Sequence, residues 1–155
     1  MNNDYMSMYP NQIFLAGFFR RIYFFITETM ALSFDQYYLT LILLSTLCVL
    51  SSVIMCAYIT KKMVNSFVGV ITFVLGAVFL ALSPWIMIPY SDTFAMFCTV
   101  FVLFCYVCIE NKYLKWPLIF FVSYIGYCIK PTAIFILCAI LFYELVCAIV
   151  RLYKM

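Results

Sequence analysis

Two ionisable side chains, Asp92 and Lys130, lie alone in long apolar stretches of the sequence and could act together. Asp92 lies in the segment PWIMIPYSDTFAMF, and Lys130 lies in SYIGYCIKPTAIF. A charge is expensive in an apolar membrane segment, so it commonly marks a binding site or has a partner of opposite charge. Lys130 could bind the phosphate of an anionic headgroup, while Asp92 could accept hydrogen bonds from hydroxyls. A purely structural interpretation carries the same weight as this functional one. In it, the two residues pair with each other, or Ser91 and Asp92 cap a helix.

The composition decides what kind of protein holds these residues. Of the 155 residues, 68% are hydrophobic and 10% are charged, and the mean hydropathy is +1.14. A soluble domain has about 25% charged residues, so the chain is predicted to be an integral membrane protein with a single membrane domain over residues 1–155. The absence of His excludes imidazole bases and HExxH zinc sites. A net charge of +3 without a basic stripe gives no expectation of nucleic-acid binding.

The eight cysteines all lie inside apolar runs, where a thiol behaves as a small buried hydrophobic group. Cys105 and Cys108 form a CxxC pattern, but no His and no second pair completes a metal or redox site. We therefore predict that the cysteines pack in the core and bind no metal.

The apolar runs predict five membrane-crossing helices and an N-terminal juxtamembrane helix, all in an all-α bundle. The juxtamembrane segment covers residues 13–26, where Arg20 and Arg21 disfavour a plain crossing, and a polar connector follows at residues 27–37. Lys130-Pro131 interrupts the last apolar stretch and predicts a turn between two short helices. The predicted crossings are residues 38–60, 67–89, 93–109, 116–129 and 131–150.

The basic residues predict the orientation of these crossings. Loops rich in Lys and Arg stay in the cytoplasm, and the five-helix arrangement puts the basic loops on one side. Asp92 and Lys130 then lie together on the extracytoplasmic side of a multi-pass protein of the cell membrane. The residues predicted to be cytoplasmic are Lys61, Lys62, Lys112, Lys115, Arg151 and Lys154.

The order of several short motifs resembles the GT-C superfamily of polytopic glycosyltransferases. The chain is similar to the protein O-mannosyltransferases and to bacterial relatives that modify lipid A and cell-wall polymers. The resemblance covers most of the chain, and the order and spacing of the motifs carry it. The motifs are YPNQ at residues 9–12, YITKK at 58–62, LSP at 82–84, PYSD at 89–92 and IKPT at 129–132.

The resemblance implies an enzyme that transfers a sugar from a polyprenyl-phosphate donor to an acceptor at the outer face of the cytoplasmic membrane. Asp92 matches the second acidic position of such proteins, which lines the cavity, and is the candidate catalytic residue. Lys130 matches the basic position that meets the donor phosphate. Tyr90, Tyr9 and Asn11 are further candidate substrate contacts. The lipid-linked sugar is the substrate, and no cofactor or metal is implied.

The N-terminal region departs from the family pattern. Family members carry a catalytic Asp in the first outer loop, upstream of the YPN-like element, and Asp4 is the one acidic residue available there. That carboxylate would be the general base that deprotonates the acceptor hydroxyl. Relatives also continue with further spans. We therefore expect a fragment of a larger transferase or the product of a degenerate gene, with little or no activity of its own.

Two functions from other classes remain as alternatives. Paired ionisable groups and a proline-broken hairpin are also typical of transporters, although we find no internal repeat. Small residues at Gly69 and Gly76 and at Ala77 and Ala81 could instead form the face of an accessory subunit that packs on another membrane protein.

Overall fold

A computed structural model of the chain describes residues 12–29, 33–83, 88 and 90–153. The described residues form helices and contain no β-strand, which confirms the prediction of an all-α fold. The α-helices are α1 (Gln12–Phe24), α2 (Phe34–Met63), α3 (Ser66–Gly76), α4 (Ser91–Cys108), α5 (Lys112–Ile129) and α6 (Phe135–Tyr153). Two π-helical turns, Phe25–Thr29 and Ala77–Ala81, follow α1 and α3, and a 3-10 turn, Pro131–Ile134, precedes α6.

Among the described residues, three helical stretches are long and apolar enough to cross a membrane. They are Phe34–Met63, Ser91–Cys108 and Pro131–Tyr153, with 30, 18 and 23 residues. At 1.5 Å per residue they measure about 45, 27 and 34 Å, against a hydrocarbon core of about 30 Å. They correspond to the predicted crossings at 38–60, 93–109 and 131–150. The predicted crossings at 67–89 and 116–129 overlap the shorter apolar stretch Ser66–Leu80 and helix α5, in that order.

Polar residues at the helix ends set where these helices begin. Ser33 forms a capping box with Gln36, which lets α2 begin at Phe34 and include Asp35 in its first turn. Asn65 caps α3 by accepting a hydrogen bond from the Val68 amide at 2.9 Å. Helix α2 therefore begins earlier than the uncharged run that starts at residue 38.

Helices α2, α4 and α6 run in the same direction. Near the last turns of α2 and α4, Lys62 Nζ donates to the carbonyl oxygen of Cys108 at 3.5 Å. Near the end of α4, the Tyr106 hydroxyl donates to Glu144 Oε1 of α6 at 2.8 Å. We call this end of the bundle, with Lys62 and Lys115, the basic end, and the opposite end, with Asp92 and Lys130, the site end.

Helices α3 and α5 run in the opposite direction and return the chain to the site end. Gly69 in the first turns of α3 packs against Lys61 at the end of α2. Trp116 in the first turns of α5 packs against Tyr106, with ring centroids 6.5 Å apart. The predicted turn at Lys130-Pro131 is confirmed, because α5 ends at Ile129 and the chain reverses through the 3-10 turn into α6.

Helix α4 supplies residues to both clusters of the core. At the site end the buried cluster consists of Leu15, Phe94, Ala95, Cys98, Ile129 and Ala133. Toward the basic end it consists of Val102, Cys105, Ile119, Leu137 and Ile140. All eight cysteines lie in the described ranges and none forms a disulfide. Cys105 of the CxxC pattern is fully buried against apolar neighbours, as a packing residue would be.

Helix α1 packs on the site end of the bundle. Its residue Leu15 is buried in the first core cluster, and the ring of Phe19 lies 5.6 Å from that of Phe94. The Tyr37 hydroxyl of α2 donates to the Phe19 carbonyl at 3.4 Å. Arg20 and Arg21 remain exposed on α1. The arginine pair is therefore accommodated by a helix that buries one face on protein.

Gly126 lets the turn before α6 approach α4 closely. A Cβ atom at this position would lie 3.1 Å from the Cβ atoms of both Ala133 and Cys98, which is tighter than ordinary van der Waals contact. The small residues at this crossing bring the segment that carries Lys130 next to the start of α4.

Candidate functional site

Asp92 lies in the first turn of α4. Tyr90 occupies the N-cap position with an extended backbone, and no side-chain hydrogen bond caps this helix. The interpretation of Ser91 and Asp92 as a cap is therefore wrong, because both residues already lie inside the helix. A carboxylate in the first turn interacts favourably with the positive end of the helix dipole and stays available to other groups.

Lys130 lies in the sharp bend between α5 and the 3-10 turn. Its backbone is extended, its N–H donates to the Gly126 carbonyl at 2.8 Å, and its carbonyl accepts from the Ala133 amide at 2.9 Å. Pro131 takes the first position of the turn, where its missing N–H costs no hydrogen bond. The backbone of Lys130 is thus held at both sides, and its side chain is free to reach α4.

The structure brings Asp92 and Lys130 together. Lys130 Nζ donates to Asp92 Oδ1 in a charge-assisted hydrogen bond, the one ion pair within 4 Å among the described residues. The side chain of Asp92 is 70% exposed and that of Lys130 is 36% exposed. The prediction that these residues share one end of the bundle matches this geometry, and the alternative that they pair with each other is realised.

The ion pair lies at the mouth of a cavity of about 520 Å³ between α2, the π turn after α3, α4 and the turn before α6. The polar lining residues are Ser83, Asp92, Thr93, Thr99, Lys130 and Thr132. The apolar lining residues are Val49, Phe79, Leu80, Ala95, Met96 and Ala133. Phe79 and Leu80 are exposed and make one wall of the cavity apolar at the surface of the bundle. The cavity therefore offers charges and hydroxyls beside an apolar wall, as an amphipathic ligand requires.

The other predicted contact residues are placed differently. Tyr90 is exposed and occupies the N-cap position of α4, two residues before Asp92, but it is not among the described residues that line the cavity. Tyr9 and Asn11, like Asp4, lie outside the described residues. In the described part of the chain, no group of three His, Cys, Asp or Glu side chains could hold a metal ion.

A second polar cluster, at the basic end, was missed by the sequence analysis. Glu144 interrupts the apolar sequence of α6 and accepts the hydrogen bond of Tyr106. Lys115 Nζ lies 5.4 Å from the centroid of the Tyr106 ring, and the Tyr143 ring packs edge-on against it. A lone ionisable residue in an apolar run was the available signal, the same one that indicated Asp92 and Lys130.

The small residues considered for an accessory interface are partly used within the chain. A Cβ at Gly69 would lie 2.8 Å from the Cβ of Lys61, and one at Gly76 would lie 2.9 Å from Val53 Cγ1. Both glycines therefore serve the close packing of α3 on α2.

Comparisons with known proteins show which class of protein the chain belongs to. A family model described as "conserved hypothetical integral membrane protein" matches residues 1–154. No curated protein and no solved structure matches the chain. The match covers nearly the whole sequence and agrees with the apolar helices described above. It follows that this chain belongs to the family of conserved hypothetical integral membrane proteins.

Proposed function

We propose that the chain is a membrane glycosyltransferase-like protein that binds a polyprenyl-phosphate-linked sugar at the site end of the bundle. The single observation that carries the proposal is the Lys130–Asp92 pair at the mouth of an amphipathic cavity. The donor has the same two parts, a charged and hydroxylated headgroup and an apolar chain. The order of motifs that resembles the GT-C superfamily supports the same assignment.

The chemistry of the two side chains fits the two halves of such a headgroup. Lys130 is a compact cation that can bind phosphate and can stabilise the negative charge that the phosphate gains as it leaves. Asp92, which lies beside Lys130, can accept hydrogen bonds from sugar hydroxyls. Thr93 and Thr132 supply further hydroxyls at the same rim.

The transfer itself needs a carboxylate that takes the proton of the acceptor hydroxyl. The oxygen of that hydroxyl forms a bond to the anomeric carbon of the sugar, and the bond from this carbon to the phosphate oxygen breaks. The phosphate keeps the electron pair of the broken bond. The resemblance assigns this role to an outer-loop Asp upstream of the YPN-like element, so Asp92, the one carboxylate among the described residues that line the cavity, is proposed to bind the donor.

Retention of the donor lipid tests the proposal. The purified protein, reconstituted in nanodiscs that contain polyprenyl phosphate, should retain this lipid through washing. Lys130→Ala should reduce retention about tenfold, the effect of losing one charge-assisted contact of about 1.4 kcal/mol. Lys115→Ala, which removes a cation at the basic end, is the matched control and should leave retention unchanged.

Two results would contradict the assignment. Equal retention by Lys130→Ala and the unchanged protein would remove Lys130 from the phosphate site. A loss of retention in Lys115→Ala of the same size would show that the lipid binds by general attraction to cations. The helical circular dichroism of both variants should match that of the parent, so that the comparison concerns binding.

A further inference from the structure

We infer that the cavity at the site end also accepts a zwitterionic phospholipid headgroup, with an ammonium group close to the phosphate, as in phosphatidylethanolamine. This lipid would occupy the site in the resting membrane and compete with the donor. The inference rests on the phosphate-binding role of Lys130 in the proposed function. It adds a second ligand and a role for Asp92 in selecting it.

The charges at the cavity mouth favour a zwitterion over an anion. Lys130 Nζ and Asp92 Oδ1 are in hydrogen-bond contact, so any phosphate that reaches the lysine also comes close to the carboxylate. An anionic headgroup, that of the donor included, is attracted by Lys130 and repelled by Asp92 at a similar distance, so it should bind more weakly than a zwitterion. A headgroup with both charges is attracted by both, with its phosphate on Lys130 and its ammonium on Asp92.

The existing ion pair can open for such a ligand. Exposed ion pairs contribute little to stability, and the Asp92 side chain is 70% exposed. A zwitterion replaces the single contact between the two side chains with two contacts to the ligand. The charge of the site stays balanced, so neither side chain is left facing a like charge.

The polar and apolar walls of the cavity match the headgroup and the acyl chains of a phospholipid. The Phe79 side chain is 71% exposed and lines the cavity together with Leu80 and Met96, which gives acyl chains an apolar path from the bilayer. Thr132, also exposed, lies two residues after Lys130 and can donate its hydroxyl hydrogen to a phosphate oxygen. The ligand therefore meets polar groups at the headgroup and apolar groups at the chains.

Native mass spectrometry of the purified protein can measure this preference. The probe is an equimolar mixture of phosphatidylethanolamine and phosphatidylglycerol with identical acyl chains. We expect roughly fivefold more bound phosphatidylethanolamine, the ratio that corresponds to one charge contact of about 1 kcal/mol. Equal binding, or a preference for phosphatidylglycerol, would overturn the inference.

Variants identify the residues responsible. Asp92→Asn removes the repulsion and should shift the preference to phosphatidylglycerol, while the exchange Asp92→Lys with Lys130→Asp should keep the preference for phosphatidylethanolamine. Asp35→Asn, at an exposed acid in the first turn of α2, is the matched control and should behave as the parent. An unchanged lipid ratio in Asp92→Asn, or the same shift in Asp35→Asn, would overturn the assignment to this site.

The two proposals can fail separately. If Lys130→Ala loses polyprenyl phosphate while the parent shows no preference between the phospholipids, the donor site stands and the zwitterion inference is wrong. If the preference for phosphatidylethanolamine is present and depends on Asp92 but polyprenyl phosphate retention does not depend on Lys130, the lipid site stands and the transferase proposal is wrong.

Discussion

Asp92 and Lys130 meet although they lie 38 positions apart in the chain, because the start of α4 and the end of α5 lie at the same end of the bundle. Their exposure decides what this contact can do for the protein. Exposed pairs of this kind contribute about 0.2–1 kcal/mol to stability, since water screens the attraction and the side chains lose rotamer freedom. The pair therefore contributes little to holding the fold together.

The small expected contribution of the ion pair gives a prediction for stability. Asp92→Asn should lower the free energy of unfolding by no more than about 1 kcal/mol, because the amide keeps an acceptor oxygen and the position is exposed. The measurement is denaturation in mixed micelles with tryptophan fluorescence as the readout. A loss of several kcal/mol would show that the ion pair is structural and would weaken both proposals for the site.

The sequence pattern indicated these two ionisable side chains as candidate site residues but did not single out a third, Glu144. Asp92 and Lys130 interrupt apolar runs next to Pro or Ser, so they are conspicuous as helix ends as well as charges. Glu144 lies in the middle of an otherwise continuous helix with no turn residue nearby. Its partner, Tyr106, is a common residue in apolar helices, and the pairing depends on the packing of α6 on α4, which local sequence does not contain.

Two polar contacts join α4 to the segment that contains α6, one to Lys130 before the 3-10 turn and one to Glu144 in the middle of α6. The contacts Asp92–Lys130 and Tyr106–Glu144 both connect residues 38 positions apart, so the two helices run in register between them. Helix α6 has few other buried residues, with Leu137 and Ile140 as its buried contacts to the core. The contact at the basic end therefore has a large part in fixing how α6 lies on the bundle.

Removal of the Tyr106 hydroxyl tests this role. Tyr106→Phe should lower the free energy of unfolding by about 1 kcal/mol, the size of a side-chain hydrogen bond between membrane helices. The measurement is the same denaturation experiment, with Tyr113→Phe as the control because Tyr113 is 93% exposed near the basic end. If both substitutions have the same effect, the Tyr106–Glu144 contact does not stabilise the packing of α6.

A companion substitution separates the hydrogen bond from the charge. Glu144→Gln keeps an oxygen that can accept from Tyr106 and removes the negative charge. We expect it to cost less than Tyr106→Phe. A larger cost would show that the carboxylate acts mainly through its charge, to which Lys115, 5.4 Å from the centroid of the Tyr106 ring, is the opposite charge in this cluster.

The helices themselves could be predicted in part from local sequence. Lys130-Pro131 marks a break that the structure contains, because proline cannot donate the hydrogen bond that a continuous helix needs there. The π turn at Ala77–Ala81 was not predicted, since the residues are apolar on every side and no local pattern distinguishes it from α-helix. Polar capping residues allow helix ends to be predicted from sequence, whereas a change from α-helix to π-helix inside an apolar helix cannot be predicted in this way.

The alternating directions of α2 to α6 give the bundle two chemically different ends. Lys62 and Lys115 lie at one end, and the ion pair with its cavity lies at the other. The fold was predictable because uncharged runs of membrane length leave few other arrangements. The cavity was not, because its walls come from four elements far apart in the chain and depend on close contacts such as that at Gly126.

The positive-inside rule turns this asymmetry into a prediction of orientation. The basic end should face the cytoplasm, and the cavity should open on the outer side of the cell membrane. In a variant whose eight cysteines are replaced, a membrane-impermeant thiol reagent should label Asp92→Cys and Lys130→Cys in intact cells. Lys112→Cys should be labelled only after the membrane is permeabilised.

A second measurement keeps this test independent of the cysteine replacements. Green fluorescent protein fused to the C-terminus of the native sequence should fluoresce, because the predicted topology puts α6 with its end in the cytoplasm, where this reporter folds. Labelling of positions 92 and 130 from opposite sides would contradict the shared site, since one cavity mouth cannot be reached from both faces of a bilayer. If position 112 is labelled from outside and the fusion protein does not fluoresce, the bundle has the opposite orientation. The cavity would then open on the cytoplasmic side, where it could not hold a donor for transfer at the outer face.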